Sequence, residues 1–290
     1  MSDSAHTEIA AAEPAGQGAE GAAAPAISVL TAALDPPAEF LLDALRSLHA
    51  QEETDWEWVI QLDGEHPPPM PAALLSERRA SVQANGRLLG SGATRNRALV
   101  RTRAPLVQNL DADDQLLPGA LAAARTALEG DAELAFAFGR TVELHPDGSQ
   151  RGAWREQIPF APGRIEAGAI AAHWLKTGSD PLPLSPLAYR RRLLFAYGGW
   201  AALSVMEDTA LALALSVRHP CLYIDRDTQL YRVHPGQVTA AAGYRAERAP
   251  GRRFVFERLA ALGATGAGRD AQPPPDPADR LTDRQLRRGL

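Results

Sequence analysis

The chain has 290 residues, 45% of them hydrophobic and 22% charged, with a formal net charge of −5. These values are typical of a soluble globular protein and argue against a nucleic-acid-binding protein with a broad basic face. The single cysteine, Cys221, excludes an internal disulfide and a cysteine-rich zinc site, which fits a reducing cytoplasm. No uncharged apolar run reaches the roughly 18 residues that a membrane span needs. We therefore expect a cytoplasmic protein without a membrane span.

The two ends of the chain have a composition that disfavours a packed structure. Residues 1–25 are mostly Ala, Gly, Glu and Pro, and residues 263–279 are rich in Gly, Pro and Asp. Such segments bury too little apolar surface to offset the entropy of ordering them. We predict a disordered tail over 1–25, a single domain over 26–262 and a flexible tail over 263–290. The arginines of the C-terminal tail are a candidate for peripheral contact with a membrane.

The first element of the predicted domain is a short strand over residues 27–31, where β-branched and other apolar residues follow one another. Asp35 and Pro36 then offer a helix cap and a proline at the first helical position. The helix that follows carries leucines at spacings of four and three and stops near Gln51.

Strand-like and helix-like segments continue to alternate after this helix. A period-two pattern predicts a strand over 56–62, Val82 marks a weak third strand, 93–102 is helical and 105–110 is a further strand. This alternation predicts an α/β fold with a mostly parallel central sheet and helices on both faces.

Polar side chains stand where these strands end. Thr31 ends the first strand, Asp63 follows the second, and Asp111 and Asp113 follow the strand over 105–110. Ligands of open α/β sheets bind beyond the carboxyl ends of the strands, so these residues are expected along one rim.

Asp111 and Asp113 flank Ala112, so in an extended segment both carboxylates leave the chain on the same side. Two hard oxygen ligands at this spacing suit Mg²⁺ or Mn²⁺ better than a soft metal. The alternative is an acidic turn after a strand.

Arg95 follows a glycine-rich approach at the start of the helix over 93–102, where a planar guanidinium can grip a diphosphate. The alternative is a solvated arginine on a helix that carries other arginines.

Farther along, Glu207 and Asp208 begin a helical run. A helix N-terminus favours the ionised carboxylate of Asp208, which can accept a proton from a hydroxyl group. The alternative is that Asp208 is a simple N-cap. Arg232 and His234 then close the core and offer a cation for phosphate and an imidazole as a metal ligand.

Together these motifs resemble the family 2 glycosyltransferases of the GT-A fold, over about residues 27–239. The matching segments, in order, are Ile27–Thr31, Leu45–Gln51, Asp55–Trp58, Asp63-Gly64, Ala93–Asn96, Asp111–Asp114, Gly198-Gly199, Glu207-Asp208 and Tyr231–His234. Members of this family move a sugar from a nucleotide diphosphate donor to an acceptor, usually with inversion.

The resemblance implies roles for individual residues. Thr31 and Asp63 would line the nucleoside pocket and Arg95 would approach the base or the diphosphate. The segment Asp111–Asp113 would hold ribose and metal. Asp208 would be the general base, with Glu207 the next carboxylate to test. The second strand keeps only one of the two acids that the family commonly has there, because Leu62 precedes Asp63.

We therefore predict a metal-dependent, inverting glycosyltransferase that uses Mg²⁺ or Mn²⁺, a nucleotide diphosphate sugar and an unidentified acceptor. Two other functions stay open at this stage. One is a nucleotidyltransferase of related fold, and the other is a non-catalytic protein that binds nucleotide sugars or serves as a scaffold.

Overall fold

A ten-stranded sheet organises the chain in the computed structural model, which describes residues 23–152, 158–240, 243–267 and 272–277. The strands within these ranges are β1 (Ile27–Leu34), β2 (Trp56–Asp63), β3 (Ala80–Ala84), β4 (Leu106–Asn109), β5 (Gln115–Leu116), β6 (Phe136–Leu144), β7 (Gln150–Arg151), β8 (Gly163–Ile165), β9 (Ala188–Arg190) and β10 (Cys221–Arg232). The helices are α1 (Ala38–His49), α2 (Ala72–Leu75), α3 (Ser91–Arg101), α4 (Ala120–Gly130), α5 (Ala169–Thr177), α6 (Arg191–Ala196), α7 (Glu207–Arg218) and α8 (Tyr244–Ala261), with a short 3₁₀ helix at Val238–Ala240.

The order of the strands across the sheet is β3-β2-β1-β4-β9-β6-β10-β5, with β7 beside β6 and β8 beside β10. Strands β3, β2, β1 and β4 are parallel, and β6 is parallel to β10. Between these two parallel groups, β9 runs antiparallel to both β4 and β6. The predicted α/β fold is confirmed, with a sheet that is mixed because β9 and the short strands β5, β7 and β8 pair antiparallel with their neighbours.

Two hydrophobic cores cover the two faces of the sheet. Ile27 and Val29 of β1 lie in the core that α1 and α4 cover, whereas Leu30 lies in the core of α3, α5, α7 and α8. All eight residues of β2 are buried, because side chains on both faces of this strand also pack into the two cores. The period-two pattern over 56–62 therefore marks one of two buried faces, as expected when helices pack on both sides of a sheet.

The start of α1 differs from the prediction. Asp35 adopts a φ of 45°, and Pro37 occupies the N-cap position of the helix, where its side chain makes no capping hydrogen bond. Because a residue that precedes a proline disfavours the helical conformation, the Pro36-Pro37 pair keeps the chain extended until Ala38. Asp35 is thus part of the turn and not the cap.

The packed chain reaches beyond the predicted boundaries at both ends. Pro25 is buried, one residue before the predicted domain start. At the other end, residues 272–277 return to α8, where Arg252 Nη2 donates to the carbonyl of Pro274 at 2.8 Å and Arg248 Nε to Asp276 Oδ2 at 2.7 Å. Residues 1–22, 268–271 and 278–290, which hold most of the predicted tails, lie outside the described ranges. None of the helices in the described ranges combines the length and apolarity needed to cross a membrane.

Candidate active site

The acidic turn after β4 is fixed by donors from three distant parts of the chain. Asp111 Oδ1 accepts from Arg95 Nη2 at 2.9 Å, and its Oδ2 accepts from Ser185 Oγ at 2.9 Å. Asp114 is buried and accepts from Gln229 Nε2, and its Oδ2 lies 3.1 Å from the same Ser185 Oγ. Ser185 and Gln229 were missed by sequence analysis, because a serine and a glutamine outside any motif carry no local signal.

Asp113 and His234 face each other, with His234 Nε2 3.0 Å from Asp113 Oδ2. Both side chains are partly exposed, Asp113 by 30% and His234 by 22%. Burial, together with the charge of Asp111, raises the pKa of Asp113, and the hydrogen bond with His234 partly opposes that shift. Asp113 and His234, two of the three residues predicted as metal ligands, therefore lie in contact at the edge of the sheet.

Arg232 holds the acidic turn after β4 in position. Its Nε donates to the carbonyl of Asp113 at 2.9 Å, and its Nη2 donates to Asp43 Oδ2 at 2.6 Å. The guanidinium carbon lies 4.4 Å from the ring centroid of Phe40. A side chain held in this way by an aspartate, a carbonyl and a ring positions the acidic turn.

The donor set fits a divalent cation that takes part of its coordination from a substrate. Within the described ranges, no three His, Cys, Asp or Glu side chains form a group that could hold a metal ion by themselves. Mg²⁺ is commonly bound through one or two carboxylates together with substrate phosphates and water. Asp113 and His234 suit such a site, and Asp111 lies beside them with both oxygens already accepting hydrogen bonds.

Arg95 joins the two acidic motifs of the site. Its side chain is buried and donates to Asp111 through Nη2 and to Glu207 through Nη1. Burial alone would lower its pKa, but the charges of Asp111 and Glu207 outweigh that effect and raise the pKa further. Arg95 was expected to reach a diphosphate directly or to be solvated; the structure places it as a buried bridge between two carboxylates.

Close packing at the start of α3 allows Glu207 to come near Arg95. A Cβ at Gly92 would overlap the carbonyl oxygen of Ala201, and it would also contact Glu207 Cβ at 3.6 Å. Glycine at this position therefore lets the loop before α7 approach α3, and Glu207 comes within reach of Arg95.

Asp208 follows Glu207 in the first turn of α7, and Met206, with a φ of 68°, occupies the N-cap position. The Asp208 carboxylate accepts from the backbone N–H of Thr209 at 2.7 Å. Burial, then the charge of Glu207, raises the pKa of Asp208 to about 7, against the opposing effect of Arg95. The helix N-terminus was expected to keep Asp208 ionised. Burial has the larger effect, so the pKa of Asp208 lies near neutral pH.

Asp63 orders the glycine-rich loop that leads into α3. Its carboxylate accepts from the backbone N–H groups of Leu89 and Gly90, both at 2.8 Å, and from Asn85 Nδ2 at 2.9 Å. Although burial would raise the pKa of Asp63, these hydrogen bonds outweigh it and hold the pKa below its ordinary value. Asn85 is a further residue that sequence analysis missed.

Thr31 and Ala112 contribute to the same edge from inside the protein. Thr31 is fully buried, donates its hydroxyl to the carbonyl of Leu110 at 2.6 Å and accepts from Trp58 Nε1 at 2.9 Å. Ala112 packs against the core beneath α1 and α4. Thr31 lies inside β1, which runs on to Leu34, so it does not end the first strand as predicted. Its hydroxyl and the Ala112 methyl group face the interior and not the rim that the carboxylates form.

Comparison with known proteins gives concordant matches. The sequence model of the family described as glycosyl transferase family 2 matches residues 28–173. An uncharacterized glycosyltransferase of Methanocaldococcus jannaschii is 26% identical over 129 residues, which cover 43% of this chain and 44% of that protein. The matched region thus spans less than half of that relative's length.

Two kinds of solved structure share the fold. S. aureus TarS 1–349 in complex with UDP has a TM-score of 0.62 at 16% identity, with 82% of this chain and 66% of that chain covered. The mannosyltransferase PcManGT from Pyrobaculum calidifontis, in complex with GDP-Man and Mn²⁺, has a TM-score of 0.51 at 16% identity, with 87% and 67% covered. Because the family model matches just over half of the residues and the fold agrees, this chain belongs to glycosyltransferase family 2.

Proposed function

We propose that the protein transfers a sugar from a nucleotide diphosphate donor to an acceptor hydroxyl, with inversion and with a divalent cation. The observation that carries this proposal is the Arg95 bridge, which joins the acidic turn at Asp111 to the Glu207-Asp208 pair. This bridge places two parts in one site: the Asp208 carboxylate, which would accept a proton, and the acidic turn, which would bind a metal diphosphate.

The acidic turn is the proposed donor end of this site. Asp113 and His234 would hold Mg²⁺ or Mn²⁺, with Asp111 beside them, and Asp63 would flank the nucleoside. The relatives support this class of donor, because TarS is solved with UDP and with UDP-GlcNAc, and PcManGT with GDP-Man and Mn²⁺. When bound, a divalent cation supplies positive charge that offsets the charge developing on the leaving diphosphate.

Asp208 is the proposed general base. Its pKa of about 7 leaves a substantial fraction ionised at neutral pH, and a base of this pKa is well matched to the removal of a hydroxyl proton in the transition state. Arg95 would hold the neighbouring Glu207 in place through its hydrogen bond, so that the pair presents one proton-accepting carboxylate and one structural carboxylate. A single base acting on the acceptor is the arrangement that an inverting displacement requires.

Thermal shift with UDP, GDP, UTP and GTP, each with and without Mn²⁺, tests the proposal. We expect stabilisation by a nucleoside diphosphate that depends on Mn²⁺ and is lost in Asp113→Ala, whose own melting temperature stays near that of the wild type because Asp113 lies at the rim and leaves no core cavity. A preference for triphosphates would instead support a nucleotidyltransferase. No response to any nucleotide would support a non-catalytic protein.

A further inference from the structure

A concave surface lined by arginines lies at the opposite end of the sheet from the active site. This arginine pocket is a cavity of about 330 Å³ at the amino ends of β2 and β3. Its lining includes the four arginines Arg78, Arg79, Arg101 and Arg103, together with Glu57 and Ser81. Helix α3 separates it from the acidic rim: Arg101 is the last of the eleven residues of α3, which at 1.5 Å per residue span about 16 Å.

Two carboxylates pair with arginines of this pocket, Glu57 in its lining and Glu77 next to Arg79, and both are already committed to structural partners. Glu57 accepts from Ser28 Oγ at 2.6 Å, from the backbone N–H of Arg103 at 2.6 Å and from Arg103 Nε at 2.8 Å. Glu77 accepts from Arg79 Nε at 2.9 Å and contacts His49 Nε2 at 2.6 Å.

The other two arginines of the pocket are Arg78 and Arg101. Among the described residues, neither Arg78 nor Arg101 forms an ion pair with a carboxylate. Arg101 donates to the carbonyl of Ile60, to Gln61 Oε1 and to Ser81 Oγ, which uses three of the five N–H donors of a guanidinium. Burial lowers the pKa of Arg101, and the charge of Glu57 compensates for only part of that effect.

Four guanidinium groups beside two carboxylates leave two positive charges at one concave site, on a chain whose net charge is −5. We infer that the arginine pocket binds a small phosphate-bearing anion at a site separate from the donor site. A phosphomonoester carries about −1.5 to −2 charges at pH 7, which matches this excess. The planar guanidinium fork suits phosphate oxygens, and the exposed Ser81 and Gln83 add neutral hydrogen-bonding groups at the rim.

Isothermal titration calorimetry at low ionic strength, with inorganic phosphate as the probe, tests this site directly. We expect saturable binding to the full chain that weakens about tenfold in Arg78→Gln and further in the Arg78→Gln, Arg101→Gln double variant. Arg78 is exposed and makes no hydrogen bond or ion pair within the described ranges, so its single variant tests binding even if the double variant does not fold. Arg253→Gln, which removes an arginine 60% exposed on α8, is the matched control and should bind phosphate like the wild type.

Two comparisons separate this site from other sources of binding. Titration of UDP with Mn²⁺ should be unchanged in Arg78→Gln, so failure of the proposed donor site and failure of the arginine pocket give different results. Sedimentation with phosphatidylglycerol vesicles, against phosphatidylcholine vesicles, tests whether the arginines recognise a lipid surface instead. Absence of phosphate binding by the wild type, an equal loss in Arg253→Gln, or binding to anionic vesicles alone would overturn the inference.

Discussion

Replacement of Asp208 by asparagine separates the proposed chemical role of this residue from its structural one. In the wild type the backbone nitrogen of Thr209 lies 2.7 Å from Asp208 Oδ1. The variant keeps an oxygen that can accept this hydrogen bond. It removes the ability to take a proton. Since Met206 occupies the N-cap position, the substitution does not touch the cap of α7.

The expected loss of turnover follows from the usual contribution of a general base, about 10²–10⁴-fold. The pH dependence follows from the pKa of about 7. Because the base acts as the ionised carboxylate, wild-type kcat/KM should fall about tenfold per pH unit below 7 and level off above it. The residual activity of Asp208→Asn should not follow that profile.

The same substitution has an opposite effect on stability. The pKa of Asp208 is raised in the folded protein from 3.8 to about 7, so the folded state binds this proton more tightly than the unfolded state does. The resulting penalty is complete above pH 7 and disappears as the pH falls towards 3.8. At about 1.4 kcal/mol per pKa unit, its upper bound is about 4 kcal/mol. Asp208→Asn should therefore be more stable than the wild type at pH 8, and this advantage should shrink at pH 5.

The assay is sugar transfer or slow donor hydrolysis, measured with donor affinity and urea unfolding on one preparation, the unfolding with EDTA. Glu166→Gln, at a carboxylate 71% exposed on the surface, is the control for loss of one negative charge and should behave as the wild type in both assays. Wild-type turnover in Asp208→Asn would move the base to another residue, with Glu207 the next to test. Reduced stability of Asp208→Asn at pH 8 would contradict the raised pKa.

Three further substitutions or deletions test the structural basis of the site. Arg95→Gln leaves the buried Glu207 and the partly exposed Asp111 without their shared guanidinium and should cost about 3–5 kcal/mol in urea unfolding, whereas Arg97→Gln, exposed on the same helix, should change stability by less than about 0.5 kcal/mol; equal effects would refute the bridge. Gly92→Ala should cost about 1–3 kcal/mol because its methyl group meets a backbone carbonyl, while Gly130→Ala, with open space around it, should be neutral or stabilising. Removal of residues 1–22 should leave the melting temperature unchanged, as their composition predicts, and a fall of several degrees would show that they pack against the domain.

The sequence predicted the rim of the site better than its interior. Asp63, Asp111 and Asp113 could be placed on one edge because strand ends are recognisable from local patterns and parallel strands align their carboxyl ends. The partners of these residues depend on contacts between distant segments. Nothing local in the sequence shows that Ser185 reaches Asp111, or that Arg95 meets Glu207, 112 positions away.

Burial was the second property that local patterns could not supply. Asp208 was expected to be ionised because it begins a helix, and its raised pKa comes from the surrounding packing and from Glu207. The start of α1 shows a comparable limit. Asp35 has the composition of a cap, but two consecutive prolines displace the helix by two residues.

The return of residues 272–277 onto α8 bears on how this chain is cut or fused in the laboratory. A fragment ending at residue 262, where composition alone would place the domain end, keeps Arg248 and Arg252 but loses the carboxylate of Asp276 and the carbonyls of Pro274 and Pro275 that they contact. Arg252 also donates to the carbonyl of Gly178 at 2.8 Å, so its hydrogen bonds connect α8 and residues 272–277 to the turn after α5. Expression fragments and fusion partners are therefore better joined after residue 277.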